Sequence, residues 1–224
     1  MPSVVTEIAA DVYRLSTFHP DFGIQFNQFL LADAEPFLMH TGMRQAFAQT
    51  RDAVAQVLDP STVRWIGWSH FEADECGALD QWLALAPRAQ VLCGVVAATI
   101  NVNDAAARSP RVLADGETVS TGRHTLQFLA TPQLPHGWDA GLFFDQTTRT
   151  LFCSDLFFQP GDPPPLVETD LVEPARQAIV AGADGPLAHD LPYTPRTDAM
   201  LQRLAALRPQ TLAVMHGSSY RGDG

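Results

Sequence analysis

The sequence contains no lysine: its 14 basic residues are all arginine, and 25 acidic residues outnumber them. The resulting formal net charge is −11 at pH 7. Binding to phosphate backbones depends on basic side chains that displace counterions, so this charge excludes nucleic acid and anionic membrane as expected partners. Nothing in the sequence explains why arginine is used to the exclusion of lysine.

Long hydrophobic runs are also missing. No apolar stretch approaches the roughly 20 residues that a membrane-spanning helix needs. The first 15 residues, MPSVVTEIAADVYRL, have neither the basic segment nor the apolar run of a signal peptide. These absences predict a soluble, cytoplasmic protein without a membrane partner.

Cysteine is scarce. The three cysteines, Cys76, Cys93 and Cys153, are scattered along the chain and odd in number. A small disulfide framework has an even number of cysteines at regular spacing, so the pattern predicts reduced, buried thiols instead.

The composition is that of a globular protein. The chain has 224 residues, of which 46% are hydrophobic and 17% charged. This length favours one domain over two, and the apolar content provides for a large core. We therefore expect a single domain over residues 1–224.

Apolar patterning predicts strands first, then strand–helix units, then strands again. Helices are expected over residues 44–58, 77–86, 95–104 and 196–207. Strands are expected over 11–18, 24–32, 35–42, 63–68, 89–95, 111–114, 117–120, 124–131 and 211–215, and a hairpin over 140–155, where two apolar runs flank a polar turn. The order predicts an α/β fold with sheets covered by helices. The proline-rich stretch 159–168 is expected to be a loop, packed beside a site or exposed at the surface.

Four predicted strands run directly into a side chain that can bind a metal: His70, His136, Asp155 and His216. In open α/β folds the carboxyl ends of strands face a shared crevice where ligands bind. We therefore expect these four side chains to converge.

The stretch SHFEADECGAL adds two carboxylates to this set. In an extended loop alternate side chains point the same way, so His70, Glu72 and Asp74 are expected to reach into one pocket. The spacing alone leaves open whether they bind one metal or two.

The donor set itself favours iron. Three imidazoles and three carboxylates suit iron or manganese, whereas zinc is more often held by imidazole or thiolate. Three carboxylates and a bridging hydroxide would also neutralise two divalent ions in a poorly solvated pocket. Iron is therefore the predicted metal, with zinc or manganese as the alternatives.

The motifs SHFEADECGAL, LPHGWDAGLFFD, LFCSDLF and MHGSS resemble, in this order, the metallo-β-lactamase fold and, within it, the di-iron domain of flavodiiron proteins. The resemblance implies an αββα sandwich of two mixed β-sheets covered by helices. It also implies that His70, Glu72 and His136 hold one metal, that Asp74 and His216 hold the other, and that Asp155 bridges them. Zinc hydrolases of this fold carry a histidine where this chain has Glu72.

One residue departs from the family pattern. The superfamily usually shows Asp-His where this chain has Asp74-Glu75. Glu75 is left with three interpretations: a ligand, a residue that holds a water, or an acid that faces solvent. His40 and His124 are expected to be structural or exposed, and the resemblance places His19 and Tyr193 near the pocket.

The resemblance implies a protein that binds dioxygen or nitric oxide at two irons. Flavodiiron proteins carry a flavodoxin-like domain after the metal domain, and we expect no such domain and no flavin in this chain. It would then receive electrons from another protein, as an oxidoreductase, or serve as an oxygen carrier or sensor. Related proteins also imply a homodimer. The alternatives are a binuclear zinc hydrolase of an ester, thioester or lactone, and a metal-free interaction module.

Overall fold

The computed structural model describes residues 3–185 and 188–222. Fourteen strands are found among these residues, in two sheets of seven. The strands are β1 Val4–Ala9, β2 Val12–His19, β3 Ile24–Leu31, β4 Phe37–Met39, β5 Trp65–Gly67, β6 Gln90–Gly94, β7 Arg111–Leu113, β8 Thr118–Ser120, β9 Thr125–Ala130, β10 Gly141–Asp145, β11 Thr150–Ser154, β12 Leu166–Val167, β13 Thr211–Val214 and β14 Ser219–Arg221.

Both sheets are mixed. The first has the strand order β1-β2-β3-β4-β5-β6-β7, antiparallel from β1 to β4 and parallel from β4 to β7. The second has the order β12-β14-β13-β11-β10-β9-β8, in which β11 and β13 are parallel neighbours. The hairpin predicted from AGLFFDQTTRTLFCSD is the antiparallel pair of β10 and β11.

The helices are short. They are α1 Phe47–Val54, α2 Ala73–Cys76, α3 Leu79–Leu85, α4 Val95–Ala97, α5 Asn103–Ala105, α6 Val172–Gly182 and α7 Thr197–Ala206. A π-helical turn, Ala98–Val102, joins α4 to α5, and 3-10 turns lie at Arg44–Ala46 and Pro60–Thr62. The helix predicted over 44–58 is thus broken into a 3-10 turn and α1, and Leu58 lies beyond it in a turn.

Three apolar layers hold the elements together, and the two-residue period of the strands distributes side chains among them. In β3, Phe29 lies between the sheets while Leu30 faces the helices that cover the first sheet. In β10, Phe143 lies between the sheets while Phe144 packs against the layer that contains Leu204 of α7. The order of layers is helix, sheet, sheet, helix, as predicted.

Among the described residues no helix has both the length and the apolar character to cross a membrane. The three cysteines are buried free thiols, in agreement with the prediction.

Gly67 packs closely against the apolar layer between the sheets. A Cβ atom there would lie 2.8 Å from ring carbons of both Phe143 and Phe37. We expect Gly67→Ala to lower the free energy of unfolding by about 1–3 kcal/mol, since a packed core resists added volume. Chemical denaturation measures this. Gly182→Ala is the control, because nothing lies within 4 Å of its added Cβ; equal stability of the two variants would contradict the packing account.

Candidate metal centre

Four chain segments end at one edge of the sandwich. Strands β9, β11 and β13 run in the same direction in the second sheet, so their carboxyl ends share that edge. The loop after β9 carries His136, and β11 and β13 lead into Asp155 and His216. His70 follows β5 of the first sheet. The predicted convergence at strand ends is what the structure shows.

Backbone contacts join the two sheets at this edge. The Asn27 N–H donates to the Met215 carbonyl at 3.0 Å, and the Gly141 N–H donates to the Ser69 carbonyl at 2.9 Å. The Asn27 side-chain amide donates to the carbonyls of Val214 and Gly217. The loops that carry His70 and His216 are therefore fixed relative to each other.

One half of the centre is formed by His70, Glu72 and His136. The Nε2 atom of His136 lies 3.1 Å from Glu72 Oε1, and His70 Nε2 lies 3.5 Å from Glu72 Oε2. The two imidazole centroids are 4.1 Å apart. Ligand atoms of the three residues all lie within 4.8 Å of one another, a spacing that one metal ion can occupy.

The other half is formed by Asp74 and His216. The Nε2 atom of His216 lies 3.4 Å from Asp74 Oδ2. The expectation that Asp74 belongs to an extended loop is wrong, because the chain turns into α2 at Ala73. In this helical turn Asp74 faces His216, whereas Glu72 faces His70 and His136.

Asp155 faces both halves, one carboxylate oxygen to each. Its Oδ2 lies 3.5 Å from His70 Nε2 and 3.6 Å from His136 Nε2, and its Oδ1 lies 3.2 Å from His216 Nε2. A carboxylate with this placement can bridge two metal ions. The structure thus brings together all six predicted residues: His70, Glu72, Asp74, His136, Asp155 and His216.

The imidazole of His216 is oriented by the backbone. Its Nδ1 lies 2.8 Å from the carbonyl oxygen of Gln25. A carbonyl only accepts hydrogen bonds, so Nδ1 carries a proton, and Nε2 is the nitrogen whose lone pair becomes available to a metal when the ring is neutral. This is the tautomer that a metal ligand requires.

The residues fit a pair of metal ions. The Nε2 atom of His70 is buried and has no hydrogen-bond partner within residues 3–185 and 188–222, although the carboxylates of Glu72 and Asp155 each lie 3.5 Å from it. A buried nitrogen without a partner is costly unless something else satisfies it. The mixed nitrogen and oxygen donors suit iron, manganese or zinc.

Charge interactions in the metal-free pocket favour protonated histidines. Burial opposes protonation of His216, but hydrogen bonds to Asp155 and Asp74 outweigh it and raise its pKa to about 10. Burial likewise opposes protonation of His70, yet the charges of Glu75, Asp155 and Glu72 raise its pKa to about 10. A hydrogen bond from His136 and the nearby His70 ring lower the pKa of Glu72.

These pKa values predict proton release when metal binds. Imidazole binds metal only in its neutral form, so at pH 7 each bound ion must displace the proton of His70 or His216. We expect release of about two protons per chain on full loading, and apparent affinity that rises with pH towards 10. Titration calorimetry in buffers of different ionisation enthalpy measures the protons; affinity that is constant from pH 6 to 9 would contradict the assignment.

Glu75 does not face solvent: it is only 1% exposed, so that interpretation is wrong. The sequence gives no local signal of this burial, because the groups around Glu75 come from distant segments. His40 is fully buried beside it, with Nδ1 at 3.6 Å from Glu75 Oε1, and burial lowers the pKa of His40 to about 3. His124 is buried too, and its Nδ1 lies 2.9 Å from Asp145 Oδ2.

Aromatic side chains lie around the pocket in two settings. Phe26 and Phe158 pack edge-on against the His216 ring, with centroids 5.1 and 5.6 Å away. His19 packs against Phe26 in turn, which places it near the pocket. Trp138, next to the His136 loop, is 71% exposed, and Tyr193 is exposed as well.

The proline-rich stretch packs beside the site. The Gln159 N–H donates to the His216 carbonyl at 2.8 Å, and the Gly161 N–H donates to the Gly23 carbonyl at 2.7 Å. Asp162 accepts from the Gln25 side chain. Near the end of the proline-rich stretch, the two-residue strand β12 forms the edge of the second sheet.

Comparison with protein families gives one match that covers most of the chain. The model of the family described as "ODP family beta lactamase" matches residues 24–217, a span that contains all six side chains of the centre. Diflavin flavoprotein A 1 from Synechocystis is 28% identical over 162 residues, which cover 68% of this chain and 28% of that protein. Diflavin flavoprotein A 2 from Nostoc is 28% identical over 151 residues, covering 62% and 25%. The chain thus spans about a quarter of the length of these relatives.

Solved structures share the fold over almost the whole chain. Rubredoxin oxygen:oxidoreductase from Desulfovibrio gigas has a TM-score of 0.83 at 21% identity, over 98% of this chain and 58% of that one. The Flv1 flavodiiron core from Synechocystis has a TM-score of 0.79 at 23% identity, over 98% and 57%. The predicted metallo-β-lactamase-like fold and the resemblance to flavodiiron cores are confirmed.

Proposed function

The chain belongs to the family described as "ODP family beta lactamase", and on that premise we propose that it is a di-iron protein that binds dioxygen or nitric oxide. The observation that carries the proposal is the position of Asp155, with one carboxylate oxygen towards each half of the centre. His70, Glu72 and His136 would hold one iron, and Asp74 and His216 the other. When bound and reduced, such an iron pair would supply the electrons that dioxygen or nitric oxide accepts.

The chain's own side chains set the conditions for that binding. Asp155 would fix the separation of the two ions, and the tautomer of His216 is set by the Gln25 carbonyl. The packing of Phe26 and Phe158 against His216 excludes water from that side of the pocket. On the other side, Glu72 is half exposed, which leaves the pocket open to a small ligand.

Turnover depends on a source of electrons. We propose that another protein supplies them if the chain reduces its ligand, and that binding without rapid turnover would make it an oxygen carrier or sensor. A homodimer in the cytoplasm is part of the same proposal. The exposed Trp138 beside the His136 loop is available to such a partner.

The test is an absorption spectrum of the iron-loaded protein, recorded under argon and again after exposure to air. We expect a new near-ultraviolet or visible band that saturates at one dioxygen per two irons. A colourless protein that contains zinc and cleaves esters, thioesters or lactones would instead make it a hydrolase of the same fold. A protein without any bound metal would make it an interaction module.

A further inference from the structure

Glu75 takes the place of the histidine that the resemblance to the superfamily implies, and its carboxylate is directed at the protein. Its Oε2 accepts the backbone N–H groups of Ser69 at 2.7 Å and of His70 at 2.8 Å. Its Oε1 accepts the hydroxyl of Ser154 at 2.5 Å. A single buried side chain thus ties the segment after β5 to the end of β11, the strand that leads into Asp155.

The same carboxylate lies behind the ring of His70. Glu75 Oε1 is 3.6 Å from His70 Nδ1, while His70 Nε2 faces Glu72 and Asp155 at 3.5 Å each. The Ser69 hydroxyl, 3.2 Å from Nδ1, lies on the same side of the ring. A carboxylate behind a ligand imidazole holds its orientation and keeps the proton on the nitrogen that faces away from the metal.

This placement argues against Glu75 as a ligand of the second ion. Its two oxygens already accept three hydrogen bonds, and Asp74, the preceding residue, is the one that faces His216. His40, fully buried with Nδ1 at 3.6 Å from Oε1, covers Glu75 on the remaining side. Glu75 could bind an ion only through the remaining lone pair of Oε1, which lies 3.6 Å from His70 Nδ1 rather than beside His216.

We propose that Glu75 is a positioning residue for the first ion, acting through His70, and that the second ion is held by only three protein side chains: Asp74, Asp155 and His216. The inference rests on the proposed binding of two metal ions. It implies that the second ion keeps more open coordination positions than it would in a site with a fourth protein ligand.

The test separates the two ions by removing one site at a time. Asp74→Asn weakens the second site, and Glu72→Gln weakens the first. Affinity for Fe²⁺ at the remaining site is measured under argon by competition with a chromophoric chelator. In the Asp74→Asn background we expect Glu75→Gln to lower that affinity about 10–100-fold, as is typical when the partner of a ligand histidine is lost. In the Glu72→Gln background we expect a change of at most about 3-fold.

The matched control is Asp80→Asn, which removes one negative charge from an exposed position on α3 and should change neither affinity. If Glu75→Gln does not fold, Ser154→Ala removes the hydroxyl that donates to Oε1 and should weaken the first site several-fold. If Glu75→Gln lowered the Fe²⁺ affinity equally or more in the Glu72→Gln background, the inference would be overturned. That result would mean that Glu75 is a ligand of the second ion or a general structural residue. An unchanged first site would overturn it too.

These outcomes are independent of the reaction with oxygen. A wild-type protein that binds two ions but shows no spectral change in air would contradict the proposed function and leave the role of Glu75 intact. If the wild-type protein reacts with oxygen but Glu75→Gln leaves the Fe²⁺ affinity of the first site unchanged, the proposed function is supported and the role of Glu75 is contradicted.

Discussion

Asp155→Asn is expected to abolish the loading of both metal sites together, reducing iron from two ions per chain to well below one. Asp155 is the one side chain of the centre whose two oxygens face different halves. An amide offers a single neutral oxygen, so the bridge and one negative charge are lost at once. Each metal site would then lack one of its ligands, and the remaining histidine and carboxylate side chains would bind the ion more weakly.

Iron analysis of protein prepared side by side with the wild type measures this effect. Asp139→Asn is the control: Asp139 lies three residues beyond His136 and accepts from the Asn101 side chain, outside the cluster. The control should load two ions. Loss of one ion alone in Asp155→Asn would show that Asp155 serves a single site and would contradict the bridge.

Glu72→His is expected to shift metal preference from iron to zinc. The exchange replaces an oxygen donor by a nitrogen donor and leaves two carboxylates instead of three, which suits zinc better. We expect the iron-to-zinc ratio of protein purified from cells grown with both metals to fall on the order of tenfold.

The control for this exchange is Glu168→His, at the exposed glutamate that ends the proline-rich stretch. It adds the same imidazole outside the centre and should leave the ratio unchanged. Iron loading of Glu72→His at the wild-type level would mean that the charge and type of this donor do not select the metal.

The sequence was sufficient to predict where strands end, and those ends carry the centre. His70, Asp155 and His216 each follow an apolar run directly, and parallel strands present their carboxyl ends at one edge. The donor types then favoured iron, and the resemblance to flavodiiron proteins implied a pair of ions. The four layers were implied by the resemblance, and the two-residue period of the strands accounts for them, because it places Phe29 and Leu30 on opposite faces.

Features that depend on tertiary closure could not be predicted. Asp74 and Glu75 read as part of a polar turn, and only the packing of α2 under the ends of β5 and β11 buries Glu75. Helix ends were equally hidden: residues 44–58 keep an apolar spacing that α1 does not follow to its end. A local sequence pattern indicates the secondary structure that a segment favours, whereas the burial of a side chain depends on which distant segments pack around it.

Anomalous diffraction at the iron edge, from crystals of protein loaded under argon, tests the central claim most directly. We predict two iron peaks about 3.5–4 Å apart, the usual separation in two-metal sites, with Asp155 between them, His136 beside one and His216 beside the other. A single peak, or peaks away from these side chains, would contradict it.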